Sequence, residues 1–145
     1  MPQPDPGQAT TTLLRTAYNA ISAAIYRHVK QAAGPGLRPA HGNALEMLAL
    51  HDGLRLTDIA AQAGMTAQSM GELVDDLVSK GYLRRQEDPA DRRAKRIYLT
   101  GTGRQAADAS YVATRTAEEQ IQAALGPRQY QQMRRNLAAI ALLRL

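Results

Sequence analysis

The stretch Gly81-Tyr82-Leu83-Arg84-Arg85-Gln86-Glu87-Asp88-Pro89-Ala90-Asp91-Arg92-Arg93-Ala94-Lys95-Arg96-Ile97-Tyr98-Leu99-Thr100 decides the fold. Gly81 stops the segment before it, and Tyr82-Leu83-Arg84-Arg85-Gln86 is expected to extend as a strand. Asp88-Pro89-Ala90-Asp91 is a turn signal, because proline presets φ and aspartate bonds its own nearby backbone. Arg96-Ile97-Tyr98-Leu99 returns, with Ile97 and Leu99 on one face and Arg96 and Tyr98 on the other. The reading is a hairpin loaded with arginine.

Immediately upstream, two short helices meet at a turn. Leu54 to Leu56 allows one strand-like bridge, and Thr57 is then expected to cap a helix through Ala63, with Asp58 near its positive end. Gly64 breaks that helix. Thr66 is expected to cap a second one running to about Lys80, with Met70, Leu73, Val74 and Leu77 as its core stripe. Ala67, Gln68, Gly71, Glu72 and Asp75 fall on the other face. This is the outline of a helix-turn-helix, and a basic hairpin after it makes a winged helix.

Longer helical patterns flank this lobe. Leu14, Tyr18, Ile21, Ile25 and Val29 form one apolar stripe from about Thr10 to Ala33, ended by Gly34-Pro35-Gly36. A helix from about Pro39 carries Leu45, Leu48 and Ala49 inward. After Thr100 or Thr102 as cap, Ala106, Ala109, Ala113, Ala117, Ile121 and Leu125 recur at helical spacing. Pro127 opens a last helix with Tyr130, Met133, Leu137, Ile140 and Leu143 or Leu145 on one face. A winged helix of roughly 60–70 residues leaves these stripes uncovered, and burial in a two-fold homodimer is the simplest solution. The expected layout is a mobile leader (1–8), dimerisation helices (9–36 and 101–145) and a DNA-binding lobe (37–100) in one integrated domain. The fold class is mainly α with a small β-wing.

Composition narrows the function classes. The chain has 145 residues, a net charge of +5 and no cysteine, which removes disulfides, Cys-based zinc sites and cysteine nucleophiles. No apolar run approaches the roughly 18 residues a membrane span needs, so a cytoplasmic protein without membrane association is expected. Lys80, Arg84, Arg85, Arg92, Arg93, Lys95, Arg96 and Arg104 stand against Glu87, Asp88 and Asp91, and this segment alone carries the whole +5 excess. Localised positive charge is the footprint of a polyanion partner; a solvated basic face is the plainer reading of charge alone. No phosphate-binding loop, nucleophile elbow or metal-ligand spacing is present. Neither an enzyme nor a metal or cofactor site is expected.

Taken in order, these residues resemble the MarR family of bacterial transcriptional regulators. Leu37-Arg38-Pro39-Ala40 is similar to the entry to that family's second helix, and Leu56-Thr57-Asp58-Ile59-Ala60 to the start of its helix-turn-helix. Met65 to Leu77 sits where the recognition helix lies, and Lys80-Gly81-Tyr82-Leu83-Arg84-Arg85 resembles the step into the wing. Asp88-Pro89-Ala90-Asp91-Arg92-Arg93-Ala94, followed by Leu99-Thr100 and Gly103, resembles the wing and the next helix start. The resemblance implies a homodimeric winged helix on a pseudo-palindromic double-stranded operator. It also implies repression that a small, often phenolic or aromatic, effector relieves.

On that reading Thr66, Ala67, Gln68, Ser69 and Gly71 enter the major groove. Gln68 pairs with adenine and Ala67 packs on a thymine methyl, whereas Thr66 either caps the helix or meets a phosphate. Gly71 implies close approach of DNA or of a packed helix. Glu72 and Asp76 depart from the family's basic residues there; a carboxylate at either position accepts from cytosine N4 or pairs with a neighbouring arginine and orients it. Arg93 is the expected minor-groove residue, with Asp91 fixing the hairpin beside it. Arg92, Lys95 and Arg96 are expected phosphate contacts. Tyr18, Tyr26, His28, His41, Asn43 and Met47 border the cleft where the family's effector binds. Two other classes remain: a sequence-indifferent architectural DNA binder and a winged helix used for protein interaction.

Overall fold

A computed structural model describes residues 5–143, with the Arg92 side chain outside the description. Six helices and three strands follow in the order α1 (Thr10–Ala33), a single 3-10 turn (Pro39–His41), α2 (Gly42–Leu50), β1 (Leu54–Arg55), α3 (Leu56–Gln62), α4 (Ala67–Ser79), β2 (Leu83–Asp88), β3 (Asp91–Leu99), α5 (Gly101–Leu125) and α6 (Pro127–Ala141). The strands form one antiparallel sheet in the order β1-β3-β2, with Leu83 opposite Leu99 and Leu54 opposite Ile97. The sheet is the predicted wing, and α3–turn–α4 is the predicted helix-turn-helix. Of the leader, residues 1–4 lie outside the described ones, as does Leu145.

The wing lobe surrounds one core. Met70, Val74 and Leu77 of α4 pack with Ile59 of α3, Leu45 and Leu48 of α2, and Leu83, Ile97 and Leu99 of the sheet, all buried. Gly64 adopts φ +63° in the turn between α3 and α4, a conformation that costs L-residues with a Cβ. Thr66 caps α4, its hydroxyl accepting the Ser69 N–H at 3.1 Å. Thr100 caps α5 in the same way from Gly103 at 3.0 Å.

Two local expectations are corrected. Thr57 does not cap α3. That helix starts two residues earlier, at Leu56 directly off β1, with Arg55 at the N-cap and no side-chain cap. Pairing of Arg55 with Arg96 across the sheet fixes where the strand ends and therefore where the helix begins. Ala49 is exposed, and the inward stripe is His41, Ala44, Leu45 and Leu48. That stripe has the i, i+3, i+4, i+7 spacing of a helix face, but its first member is a histidine and so was not legible as core.

The long helices α1 and α5 pack along each other, and α6 turns back at Gly126-Pro127. Their apolar stripes are only partly covered. Tyr18 (64% exposed), Leu137 (42%), Leu142 (84%) and Leu143 (58%) face outward. Tyr130, by contrast, is buried, with its hydroxyl 3.1 Å from an Arg134 guanidinium nitrogen.

Gly103 is demanded by a close approach, since a Cβ there would overlap the Tyr82 carbonyl oxygen. Gly103→Ala is therefore expected to lower stability by about 2 kcal/mol despite alanine's better helix propensity. Urea unfolding checks this, and a stabilised variant would contradict the packing at the start of α5.

Candidate nucleic-acid interface

Two carboxylates organise the surface that α4 and the wing present. Asp88, at the end of β2, is 1% exposed. Its Oδ2 accepts from Arg55 Nε at 2.9 Å and Nη2 at 2.7 Å, with Arg96 Nε at 3.1 Å. Its Oδ1 accepts the Ala90 N–H at 3.0 Å, closing the two-residue hairpin. The Ala90 N–H and the Arg55 guanidinium lead the effects that hold this carboxyl at about 2, below the ordinary carboxylate range. Asp88 thus joins the wing's tip to the start of α3.

Asp76, near the end of α4, does the same on the other side. Its Oδ2 receives Lys80 Nζ at 2.6 Å, Arg38 Nη2 at 2.9 Å and His41 Nε2 at 2.9 Å. Lys80 leads the effects that bring this carboxyl to about 2. Of the two roles open to Asp76, orienting a neighbouring arginine is the one observed. Asp75 makes a further link by pairing with Arg85 of β2.

Between these anchors lies the predicted reading surface. Ala67, Gln68, Ser69 and Glu72 are exposed on the first turns of α4. Among the described residues Glu72 has no ion-pair partner. Thr66 is exposed and spends its hydroxyl on the cap. At Gly71 a Cβ would stand 3.7 Å from Leu56 Cδ2, an ordinary contact, so packing on α3 does not require a glycine.

In the wing, Asp91 Oδ1 accepts the backbone N–H of Arg93 at 3.0 Å. Asp91 therefore fixes the hairpin through backbone, and the Arg93 side chain stays exposed. Lys95 is exposed and reaches Glu87 across the strands at 3.4 Å. Arg96 departs from its expected role as a phosphate arm. It donates to the Gly53 carbonyl at 2.8 Å and pairs with Asp88, because its place on β3 aims it at the β1 edge. Arg84 lies over the Tyr98 ring at 4.7 Å. The Arg92 backbone is part of β3, and its side chain lies outside the described ones.

The six residues expected around an effector do not converge. Tyr26 lines a groove of about 380 Å³ with Arg27, Lys30 and Arg38, between α1 and the 3-10 turn. Among the described residues its buried hydroxyl has no hydrogen-bond partner, and burial first, then nearby Tyr18 and Glu46, raise it to about 12. His28 lies in a separate groove of about 500 Å³ between α1 and α5 with Asp108, Val112 and Thr116. His41 belongs to the Asp76 cluster. Tyr18 and Asn43 are exposed, and Met47 packs on the core. Sequence reasoning missed Arg55, whose one signal was its place just before the helix start.

The fold has known counterparts. Residues 36–94 match the model of the MarR family. The MepR–DNA complex of S. aureus superposes with a TM-score of 0.81 at 24% identity, over 92% of this chain and 97% of that one. PcaV of Streptomyces coelicolor, in complex with its natural ligand, gives 0.77 at 19% identity over 97% of each chain. The transcriptional repressor CouR, bound to a 23-mer DNA duplex, gives 0.71 at 25% identity over 97% and 99%. No curated protein sequence matches the chain.

The carboxylates set an acid limit. Both have depressed pKa values, so their contribution is complete above the ordinary range near 4 and is lost as pH falls toward about 2. Asp88→Asn should shallow that acid transition and speed hydrogen exchange at β2–β3 amides; unchanged exchange would remove Asp88 as the anchor. Gly71→Ala should raise stability by up to about 1 kcal/mol in urea, and a destabilised variant would contradict the open space beside it. Segment 36–94, which matches the MarR-family model, folds as a winged helix-turn-helix within a helical frame similar to those of the solved structures above.

Proposed function

We propose that the protein is a sequence-specific, double-stranded-DNA-binding transcriptional regulator that acts as a homodimer. The observation that carries this reading is the pairing of two exposed readers on anchored backbone. The first turns of α4 offer Ala67, Gln68 and Ser69 to a major groove, and the wing offers Arg93 to the adjacent minor groove. Lys95 and Arg92 supply phosphate attraction, which adds affinity without sequence information. Gly71 then has a purpose that internal packing does not give it: it lets DNA approach α4 closely.

The dimer is supported by what the protomer leaves uncovered. Tyr18 and Ile21 on α1, Leu125 on α5 and Leu137 and Ile140 on α6 are exposed and apolar. A second copy across a two-fold axis would bury them and repeat α4 at a fixed spacing. Residues 9–36 and 101–145 serve as the dimerisation helices of this reading, and 37–100 as the DNA-binding lobe. CouR and MepR are solved on DNA and PcaV with its natural ligand. By analogy, the regulator is a repressor released by a small effector, with an aromatic or phenolic compound as its class. Among the described residues no helix is long and apolar enough to cross a membrane.

A fluorescence-anisotropy titration tests the reading with the duplex upstream of the protein's own gene and a scrambled duplex of equal length. Specific regulation predicts at least a roughly hundredfold preference at physiological salt, because charge attraction alone binds both alike. Equal affinity would favour an architectural binder, and no binding would favour a protein-interaction module. Arg93→Ala should weaken the specific complex by about tenfold with the fold intact; unchanged affinity would remove Arg93 from the interface. Leu137→Asp should give a monomer in sedimentation, whereas a persistent dimer would place the interface elsewhere.

A further inference from the structure

His41 is fully buried, yet nothing in the DNA-facing surface uses it. The Arg38 backbone N–H donates to its Nδ1 at 3.1 Å, and its Nε2 lies 2.9 Å from Asp76 Oδ2. A backbone N–H only donates, so Nδ1 is the bare acceptor and Nε2 carries the hydrogen, beside Asp76 Oδ2 and with Arg38 Nη2 at 3.4 Å. The ring is therefore neutral, in one tautomer. It bridges the 3-10 turn to the last turns of α4, and the same Asp76 oxygen also holds Arg38 and Lys80.

We propose that His41 is a positioning residue for the recognition helix: its neutral ring locks α4 to the 3-10 turn, and protonation releases that joint and weakens sequence-specific DNA binding. The proposal rests on the DNA-binding reading above.

A proton on Nδ1 would face the Arg38 N–H, donor against donor, and the bond that caps the 3-10 turn would be lost. The new cation would be buried beside two others, Arg38 from its own turn and Lys80 from α4, with Asp76 as the opposing charge. From α1, Tyr26 places its hydroxyl beside Gly42, and Arg27 and Lys30 line the groove that Arg38 and Pro39 share; Glu46 follows on α2. Burial outweighs the Asp76 attraction and lowers the imidazole below its ordinary value. The neutral lock is thus complete above about pH 6.5 and is lost as pH falls through the lowered value.

The direction separates this effect from bulk electrostatics. Acidification makes the protein more cationic, which tightens non-specific attraction to DNA. Release of α4 weakens the specific complex instead. The test is anisotropy of the upstream and scrambled duplexes between about pH 8 and 5.5 at constant ionic strength, for wild type and His41→Gln. Glutamine keeps a donor for Asp76 but takes up no proton in this range. His41→Asn, which keeps an acceptor for the Arg38 N–H, is the second variant should the first fail to fold.

Wild type should lose sequence preference progressively toward the acid end, by less than about tenfold at pH 5.5 because the imidazole lies below its ordinary value, and the folded variant should lose none. Nitrogen-15 NMR of the free protein should show the His41 ring as the Nε2–H tautomer, titrating below the ordinary imidazole value. A flat wild-type profile, an equal slope in the variant, or an Nδ1–H ring would each overturn the proposal. Absence of any preference at pH 8 would instead overturn the DNA-binding reading, and this proposal with it.

Discussion

The wing's position depends on one buried carboxylate. Asp88 gathers Arg55 from the end of β1, Arg96 from β3 and the Ala90 N–H from the hairpin turn. A two-stranded ribbon is marginal by itself in water. Here β1 adds a third strand, and the Arg55–Asp88 contact ties the ribbon's far end to the residue from which α3 departs. Asp76 closes the opposite side by joining α4 to Arg38 and His41. Between them the carboxylates turn helix-turn-helix and wing into one body, so that exposed residues on both keep a fixed separation.

The order of elements was legible in the sequence because its signals are local. Thr66 and Thr100 cap helices whose first turns they can reach, Gly64 breaks a helix within its own residue, and Pro89-Ala90 turns a hairpin in place. The ion pairs were not legible for the converse reason. Arg55 and Asp88 are 33 residues apart, and Arg38 and Asp76 are 38 apart. An arginine's charge reads the same from sequence whether it is solvated or spent on a buried partner. That is why Arg96, one of a run of cations, looked like a phosphate arm although its fixed geometry serves Asp88 and Gly53. His41 was misplaced for a related reason: hydrophobic periodicity does not count a histidine as core, and only the folded Arg38 and Asp76 give its nitrogens partners.

The division of labour between the chain's two ends follows from packing. The winged lobe buries a compact apolar set and spends its charges on internal anchors, leaving a short list of exposed polar readers. The long helices do the reverse, burying small residues such as Ala106 and Ala113 against α1 and leaving large apolar ones outside. Of the residues expected around an effector, Tyr18 of α1 lies exposed in that uncovered region. In this account a second copy finishes both the apolar surface and any effector cleft, which explains why no single protomer gathers the six residues.

The most direct test of the account is selection of bound duplexes from a random library, using the intact protein at physiological salt. Two anchored reading heads related by a two-fold axis predict enrichment of an inverted repeat whose half-site centres lie about 10–10.5 base pairs apart. A library that returns unenriched, or a single half-site without a mirrored partner, would contradict the account.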